Sequence, residues 1–482
     1  MSRVLISAAH KSSGKTTLSI GLSAAFRQMG QVVQSYKKGP DYIDPLWHAK
    51  ASGRPCYNLD FNTQSHEEIL DLYRSRGAGA DLLLVEGNKG LFDGMDLLGS
   101  DSNAGMARLL QLPVVLVLDV QGLIRGVAPL LLGYSRFEPQ VELAGVILNK
   151  VGGSRHESKL RQTIEYYTDI PVLGAVYRSP EMVIEERHLG LVPSNEAGAA
   201  EATIARFAAR VREQVDLQRL LQIGPPAPER APAPVPVQVQ AGASAQASGQ
   251  VRIAIARDSA FGFYYADDLE ALEQAGARLI DFSPLDDRAL PEVDGLFLGG
   301  GFPETHMEKL AANQAMLRSV REFIEAGGPT YAECGGLMYL CRQLHWQGKV
   351  ARMVGLIEAD AVMHEQPQGR GYVRMQENAN HPWPGGDTEV NLPLHEFHYS
   401  RLENLRPGYG FAYRISRGVG IDGQQDGLIY KNLLAGYGHQ RQVAGNPWAL
   451  RFLRFIRQNQ NQHQNQCPGQ DQNQNQNQNA VS

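Results

Sequence analysis

The sequence predicts an α/β protein made of two units, the first a doubly wound P-loop domain. Three observations carry that expectation. An apolar run leads through small residues into Gly-Lys-Thr and a helical pattern, Val4-Leu5-Ile6-Ser7-Ala8-Ala9-His10-Lys11-Ser12-Ser13-Gly14-Lys15-Thr16-Thr17. Four further apolar runs, 82–85, 114–118, 145–148 and 171–176, alternate with amphipathic stretches, as buried parallel strands alternate with crossover helices. After a low-complexity stretch a strand restarts at Val251, and a strand turns sharply into a helix at Cys334.

The first loop has the strand–loop–helix setting that a phosphate site requires. Backbone N–H groups of the loop and the first helical turn converge on one point, where the helix dipole favours an anion. Lys15 is expected to neutralise phosphate charge and Thr16 to ligate Mg²⁺ through its hydroxyl. Ala9 stands where such loops usually begin with glycine.

In doubly wound sheets ligands sit beyond the carboxyl ends of the strands. The polar residues after each apolar run are therefore the candidates. Tyr36-Lys37-Lys38-Gly39-Pro40-Asp41-Tyr42-Ile43-Asp44-Pro45 holds a stiff acidic turn. It reads either as a Mg²⁺ or substrate loop or as a surface turn with capping aspartates. Glu86 ends the run 82–85 and is the expected second metal contact, followed by glycines at 87, 90 and 94. Asp119 ends the next run. Asn149 ends the run 145–148, an amide placed either to read an adenine edge or to make a turn. Glu185-Glu186-Arg187-His188 would contact an anionic substrate or form an ion-paired surface turn.

Residues 224–250 are Pro, Ala, Val, Gln and Ser with few large apolar groups, too few to offset the entropy of ordering, and read as a flexible linker. This gives units at 1–223 and 251–457. The Asn/Gln-rich tail, 458–482, is expected to be disordered. In the second unit the run 295–298 opens into Gly299-Gly300-Gly301, whose free N–H groups suit an oxyanion or an amino-acid carboxylate. Cys334 is flanked by Ala332 and Gly336, the small residues that a crowded nucleophile elbow demands, and a helix N-terminus favours the thiolate form. Cys341, two turns along the same expected helix, reads as a structural cysteine. The base is one of His395, His398 and His439, among which spacing alone does not choose.

The composition narrows the class. A net charge of −5 over 482 residues, without a long basic run, argues against nucleic-acid binding. The four cysteines show no CxxC pair, as in a reducing cytosol. No signal peptide pattern and no apolar run near the ~20 residues of a membrane span is present, so a cytoplasmic location and no membrane partner are expected.

Taken together the motifs Ser-Gly-Lys-Thr-Thr, Lys-Gly-Pro-Asp-Tyr-Ile-Asp-Pro, Val-Glu-Gly…Gly-Leu-Phe-Asp-Gly, Glu-Arg-His-Leu-Gly-Leu, Ala-Glu-Cys-Gly-Gly-Leu-Met-Tyr-Leu and His-Glu-Phe-His-Tyr-Ser are specific. The chain resembles the glutamine-hydrolysing cobyrinate a,c-diamide synthases of cobalamin biosynthesis, from Met1 to about Arg457. The resemblance implies a dethiobiotin-synthetase-like domain for ATP and the corrinoid, then a class I glutamine amidotransferase domain. It implies ATP at Ser13, Gly14, Lys15, Thr16, Thr17 and Asn149, and Mg²⁺ at Thr16, Asp44 and Glu86. Cobyrinate would meet Asp41, Tyr42, Asp44, Arg187 and His188. Cys334 matches the nucleophile and His439 its base, with Gly300, Gly301 and Gly335 around the oxyanion and L-glutamine. Asn88-Lys89, Leu394 and Arg441 depart from the family pattern, and the last leaves no third triad member assigned. The alternatives are the same chemistry on hydrogenobyrinate or nickel-sirohydrochlorin, or a non-catalytic nucleotide switch. A homodimer is left open.

Overall fold

The computed structural model describes residues 2–187, 190–223 and 250–466. It divides into two compact units, Met1–Ala243 and Ser244–Ser482. Apart from Gln250, the expected linker lies outside the described residues.

The first unit is organised on seven parallel strands: β1 (Ser2–Ala8), β2 (Val33–Lys38), β3 (Tyr57–Leu59), β4 (Leu82–Glu86), β5 (Val114–Asp119), β6 (Leu143–Val151) and β7 (Val172–Tyr177). Their order is β3-β2-β4-β1-β5-β6-β7. Val4, Leu5 and Ile6 of the central β1 are fully buried, which is why its sequence shows no alternation. Each such side chain contributes about 1.5–3 kcal/mol on burial. Helix α1 (Lys15–Gln28) follows β1 and packs on the helix Ala200–Gln214; α2 (Ile43–Ser52) follows β2. Trp47 of α2 donates from its indole to the Val192 carbonyl at 2.9 Å, tying that helix into the core. A short ribbon, β8 (Glu186–Arg187) against β9 (Gly190–Leu191), carries Arg187; His188 lies outside the described residues.

In the second unit the strands are β10 (Val251–Ala256), β11 (Phe261–Phe263), β12 (Ala277–Phe282), β13 (Gly295–Leu298), β14 (Gly300–Gly301) and β15 (Thr330–Glu333). Next come β16 (Cys341–Trp346), β17 (Lys349–Arg352), β18 (Ile357–Met363), β19 (Gly369–Glu377) and β20 (Asn391–His398). The series ends with β21 (Ser400–Glu403), β22 (Gly410–Arg417), β23 (Gln425–Tyr430) and β24 (Leu433–Gly436). A nine-stranded sheet runs β12-β10-β13-β15-β24-β23-β22-β19-β20; its first five strands are parallel and the rest antiparallel. The strands β17-β16-β18-β21 form a smaller sheet, and β11 pairs with β14.

Two expectations are corrected here. The helix after Cys334 ends at Leu340, so Cys341 begins β16 rather than extending the helix. It is fully buried, and that burial pushes its thiol well above the usual range, as suits a structural cysteine. The last helix runs Trp448–Gln466, so the Asn/Gln-rich stretch is helical at its start rather than disordered from residue 458. Its remainder lies outside the described residues. Among the described residues no helix is long and apolar enough to cross a membrane.

Candidate active sites in the two units

The first site gathers at the carboxyl ends of β1, β2, β4 and β6. Gly14, just before α1, has φ 91°, a left-handed conformation natural only to glycine. Ser13 donates from its hydroxyl to the His10 carbonyl at 2.8 Å, closing the loop on itself. Tyr134 holds the Ala9 carbonyl at 2.7 Å, and the Leu91 N–H reaches the Ala8 carbonyl at 2.8 Å. Asn149, singled out for an adenine edge, spends its amide on the loop: Nδ2 donates to the Ser13 carbonyl at 2.8 Å, and Oδ1 accepts the Lys150 N–H at 2.9 Å. Lys15, Thr16 and Thr17 form the first turn of α1. Lys15 is buried, and burial lowers its ammonium to about 8.

Thr16, Asp44 and Glu86 come together around one further residue, Lys37. Thr16 Oγ1 donates to Glu86 Oε1 at 2.6 Å and lies 3.3 Å from Asp44 Oδ2. Lys37 Nζ donates to the Asp44 carboxylate and, at 2.8 Å, to Glu86 Oε1. The other Glu86 oxygen meets His48 Nε2 at 2.5 Å. Full burial would raise the Glu86 carboxyl, but Lys37 and His48 hold it well below the usual carboxylate range. Burial would lower Lys37, but Asp44 and Glu86 raise it well above the ordinary lysine value. Lys37 lies within the motif 36–45, yet sequence reasoning gave it no role.

The acidic turn divides into two parts. Asp41 Oδ1 accepts the N–H groups of Ile43 and Asp44, both at 3.0 Å, and so caps the start of α2. Asp44, in the first turn of α2, faces the Thr16–Glu86 cluster. Beyond β4, Asn103 braces the loop by donating to Ser7 Oγ at 3.2 Å and to the Gly90 carbonyl at 2.8 Å. Asn88, one of the departures from the family pattern, accepts from Lys38 Nζ at 3.2 Å.

The second site lies where β15 and β24 end side by side, with Glu333 opposite Gly436. Cys334 follows β15 with φ 46°, a strained backbone for a non-glycine residue, and its N–H is held by the Gly436 carbonyl at 2.8 Å. The elbow is crowded as expected. A Cβ at Gly336 would meet the Leu298 carbonyl oxygen at 2.3 Å, and one at Gly335 would meet the Gly301 nitrogen at 2.9 Å. Gly300 lines the same place, with the position of its missing Cβ 3.1 Å from His439 Cε1.

Of the three candidate histidines, His439 is the one paired with Cys334. Burial would lower its imidazolium, but hydrogen bonds to Cys334 and Glu333 raise it to about 10. Glu333 Oε2 stands 3.1 Å from His439 Nδ1, a neighbour that the sequence left unassigned. His395 holds the His439 N–H through its carbonyl at 2.8 Å; burial, with His439 nearby, lowers its own imidazole to about 3. His398 is packed away, stacked on Tyr437 with ring centroids 3.7 Å apart. The arrangement brings the Cys334 thiol and the His439 imidazole into hydrogen-bond contact.

Comparison with known proteins agrees with both halves. Residues 5–191 match the CobQ/CobB/MinD/ParA nucleotide binding domain, and residues 252–446 match the CobB/CobQ-like glutamine amidotransferase domain. The cobyrinate a,c-diamide synthase of Magnetococcus marinus is 45% identical over 456 residues, 95% of this chain and 97% of that protein. The same enzyme of Methanosarcina acetivorans is 40% identical, over 92% of this chain and 93% of its own. The chain belongs to the cobyrinate a,c-diamide synthase family. It is an ATP-dependent ligase of the glutamine amidotransferase kind, with the nucleotide-binding domain first and the amidotransferase domain second.

Proposed function

We propose that this chain amidates the a and c carboxylates of cobyrinate, using ammonia cut from L-glutamine and ATP to activate each carboxylate as an acyl phosphate. The observation that carries the reading is the pairing, on one chain, of the Cys334–His439 couple with the Thr16–Asp44–Glu86 cluster behind a P-loop. The relatives named above supply the substrate.

The Cys334 thiolate attacks the glutamine carboxamide carbon, and the oxygen gathers negative charge beside the backbone of Gly300, Gly301 and Gly335. His439 passes its proton to the departing nitrogen, releasing ammonia and leaving a glutamyl thioester that water hydrolyses. In the other domain a substrate carboxylate oxygen attacks the γ-phosphorus of ATP and ADP departs. Ammonia then attacks the acyl phosphate and inorganic phosphate leaves. The activation is needed because a carboxylate oxygen is a poor leaving group until it carries phosphate. Ammonia has to arrive unprotonated to act as the nucleophile.

The oxygen donors Thr16, Asp44 and Glu86 fit Mg²⁺, which takes one or two carboxylates and completes its shell with phosphate oxygens and water. Bound there, it would supply positive charge to the phosphoryl oxygens. Lys15 would neutralise the same phosphates, and Lys37 balances the carboxylates. Asp41, Tyr42, Asp44, Arg187 and His188 are the proposed corrinoid contacts. Asn149 keeps the proposed nucleotide role through the loop that it braces.

Oxygen transfer tests the mechanism. Heavy oxygen placed in the substrate carboxylates should emerge in inorganic phosphate, one atom per amide formed. Its appearance in AMP, or its absence from phosphate, would exclude the acyl phosphate. Parallel reactions with hydrogenobyrinate and nickel-sirohydrochlorin decide whether another tetrapyrrole is preferred.

A further inference from the structure

His439 owes its orientation to something, and Arg441, two residues on, does not supply it. Arg441 Nη2 pairs with Asp267 at 2.8 Å, and its guanidinium lies 4.1 Å from the centroid of the Tyr265 ring. The acid at His439 comes from the nucleophile's own strand. Along β15 alternate residues share a face, so Tyr331 and Glu333 point the same way. Tyr331 OH donates to Glu333 Oε1 at 2.5 Å, and the Gln440 N–H donates to the same oxygen at 2.8 Å. These two donors fix the carboxylate so that Oε2 faces His439 Nδ1 at 3.1 Å. The Glu333 side chain is only 5% exposed, so the contact is shielded from water.

We propose that Glu333 is the positioning residue of the amidotransferase site: its carboxylate holds the Nδ1–H tautomer of His439, leaves Nε2 for Cys334 and stabilises the imidazolium. A single residue step separates the nucleophile from the group that orients its base. The parallel pairing of β15 with β24 lets the chain reach from one to the other. The assignment rests on the glutaminase reading of Cys334 and His439 given above.

The groups facing His439 are Cys334 and Glu333, with His395 from β20. Asp426 of β23 holds the Tyr437 and Gly438 N–H groups at 3.0 and 2.8 Å. Glu333 is the acid that reaches the ring, at 3.1 Å from Nδ1. Replacing it by Gln keeps an oxygen for Tyr331 and the Gln440 N–H but removes the charge that favours the imidazolium. The imidazolium is then lost at lower pH, and with it the thiolate–imidazolium form of the pair.

The test is glutamate release by the full-length enzyme across pH, with ammonia-driven amidation as the control. For Glu333→Gln the expected outcome is a kcat for glutamine lowered about 10²-fold or more, KM changed little, and ammonia-driven amidation retained. The alkaline limb of kcat/KM should move to lower pH by about one unit, and Glu333→Asp should recover part of the rate. An unmoved alkaline limb with near-normal kcat would overturn the assignment. So would a loss shared equally by ammonia-driven amidation and accompanied by a lower melting temperature, since that marks a purely structural residue. If the wild-type enzyme releases no glutamate, the glutaminase reading itself fails.

Discussion

Lys37 sits between the carboxylates of Asp44 and Glu86, bonded to both, at the end of a strand that is buried along its whole length. A buried cation between two buried anions is costly to break from one side, because the partners keep their charge without the compensation. Lys37→Met is therefore expected to destabilise the first unit by about 3–5 kcal/mol. Urea unfolding with equal slopes for the two proteins measures the difference. A change within about 0.5 kcal/mol would show that the cluster is not a coupled charge network.

Lys15 titrates in a useful window. Burial holds its ammonium near 8 in the free protein, below the ordinary 10.5. Phosphates beside it favour the charged form, so ATP binding should take up a proton between about pH 8 and 10. Affinity should fall as pH rises through 8 and the free protein loses that charge. Calorimetry in buffers of different ionisation enthalpy would detect the uptake, and Lys15→Met should remove it. Proton uptake that persists in the variant would place the titrating group elsewhere.

Asp44 and Tyr42 of the acidic turn should affect different steps. Asp44 faces Thr16 and Glu86, whereas Asp41 caps α2. Asp44→Asn is expected to lower amidation by about 10²-fold while glutamate release continues. Tyr42→Ala is expected to stall product at the monoamide or change which side chain reacts first. Chromatography of mono- and diamide products, with thermal melts as the folding control, checks both. Unchanged rates and product order with unchanged melting would leave the turn a structural element only.

Cys334→Ser should abolish amidation from glutamine and leave amidation from high ammonia. The reason is that the thiol and the phosphate loop belong to different units of the chain. Thr16→Ala should remove both, since phosphate and metal placement precede any activated carboxylate. Retained ammonia-driven amidation in Thr16→Ala would contradict the role given to the first loop.

Much of this was legible in the sequence, for physical reasons that also explain the gaps. Strands β1, β4, β5, β6 and β7 are buried on both faces and announce themselves as apolar runs. The equally buried β2 reads Val-Gln-Ser-Tyr-Lys-Lys and escaped notice. Its polar residues are tolerated because Gln34 bonds the Pro55 carbonyl at 2.8 Å and Lys37 meets two carboxylates. The elbow at Cys334 was readable because crowding restricts its neighbours to small residues. Spacing alone did not choose His439 over His395 and His398; the family resemblance did. Only the pairing of β15 with β24 brings Glu333 to a residue 106 positions away. The strands from β16 to β23 were missed as well. Polar residues at buried positions of these strands, Asp360, Glu377, Glu396, His398 and Asp426, break the apolar alternation.

The central claim is tested most directly by mass spectrometry of cobyrinate incubated with the enzyme, ATP, Mg²⁺ and glutamine. The account predicts two successive carboxylate-to-amide mass changes, at the a and c positions, each dependent on ATP. Cys334→Ser should yield the same products only when ammonia replaces glutamine. Cobyrinate unchanged by an enzyme that hydrolyses glutamine and binds ATP would contradict it.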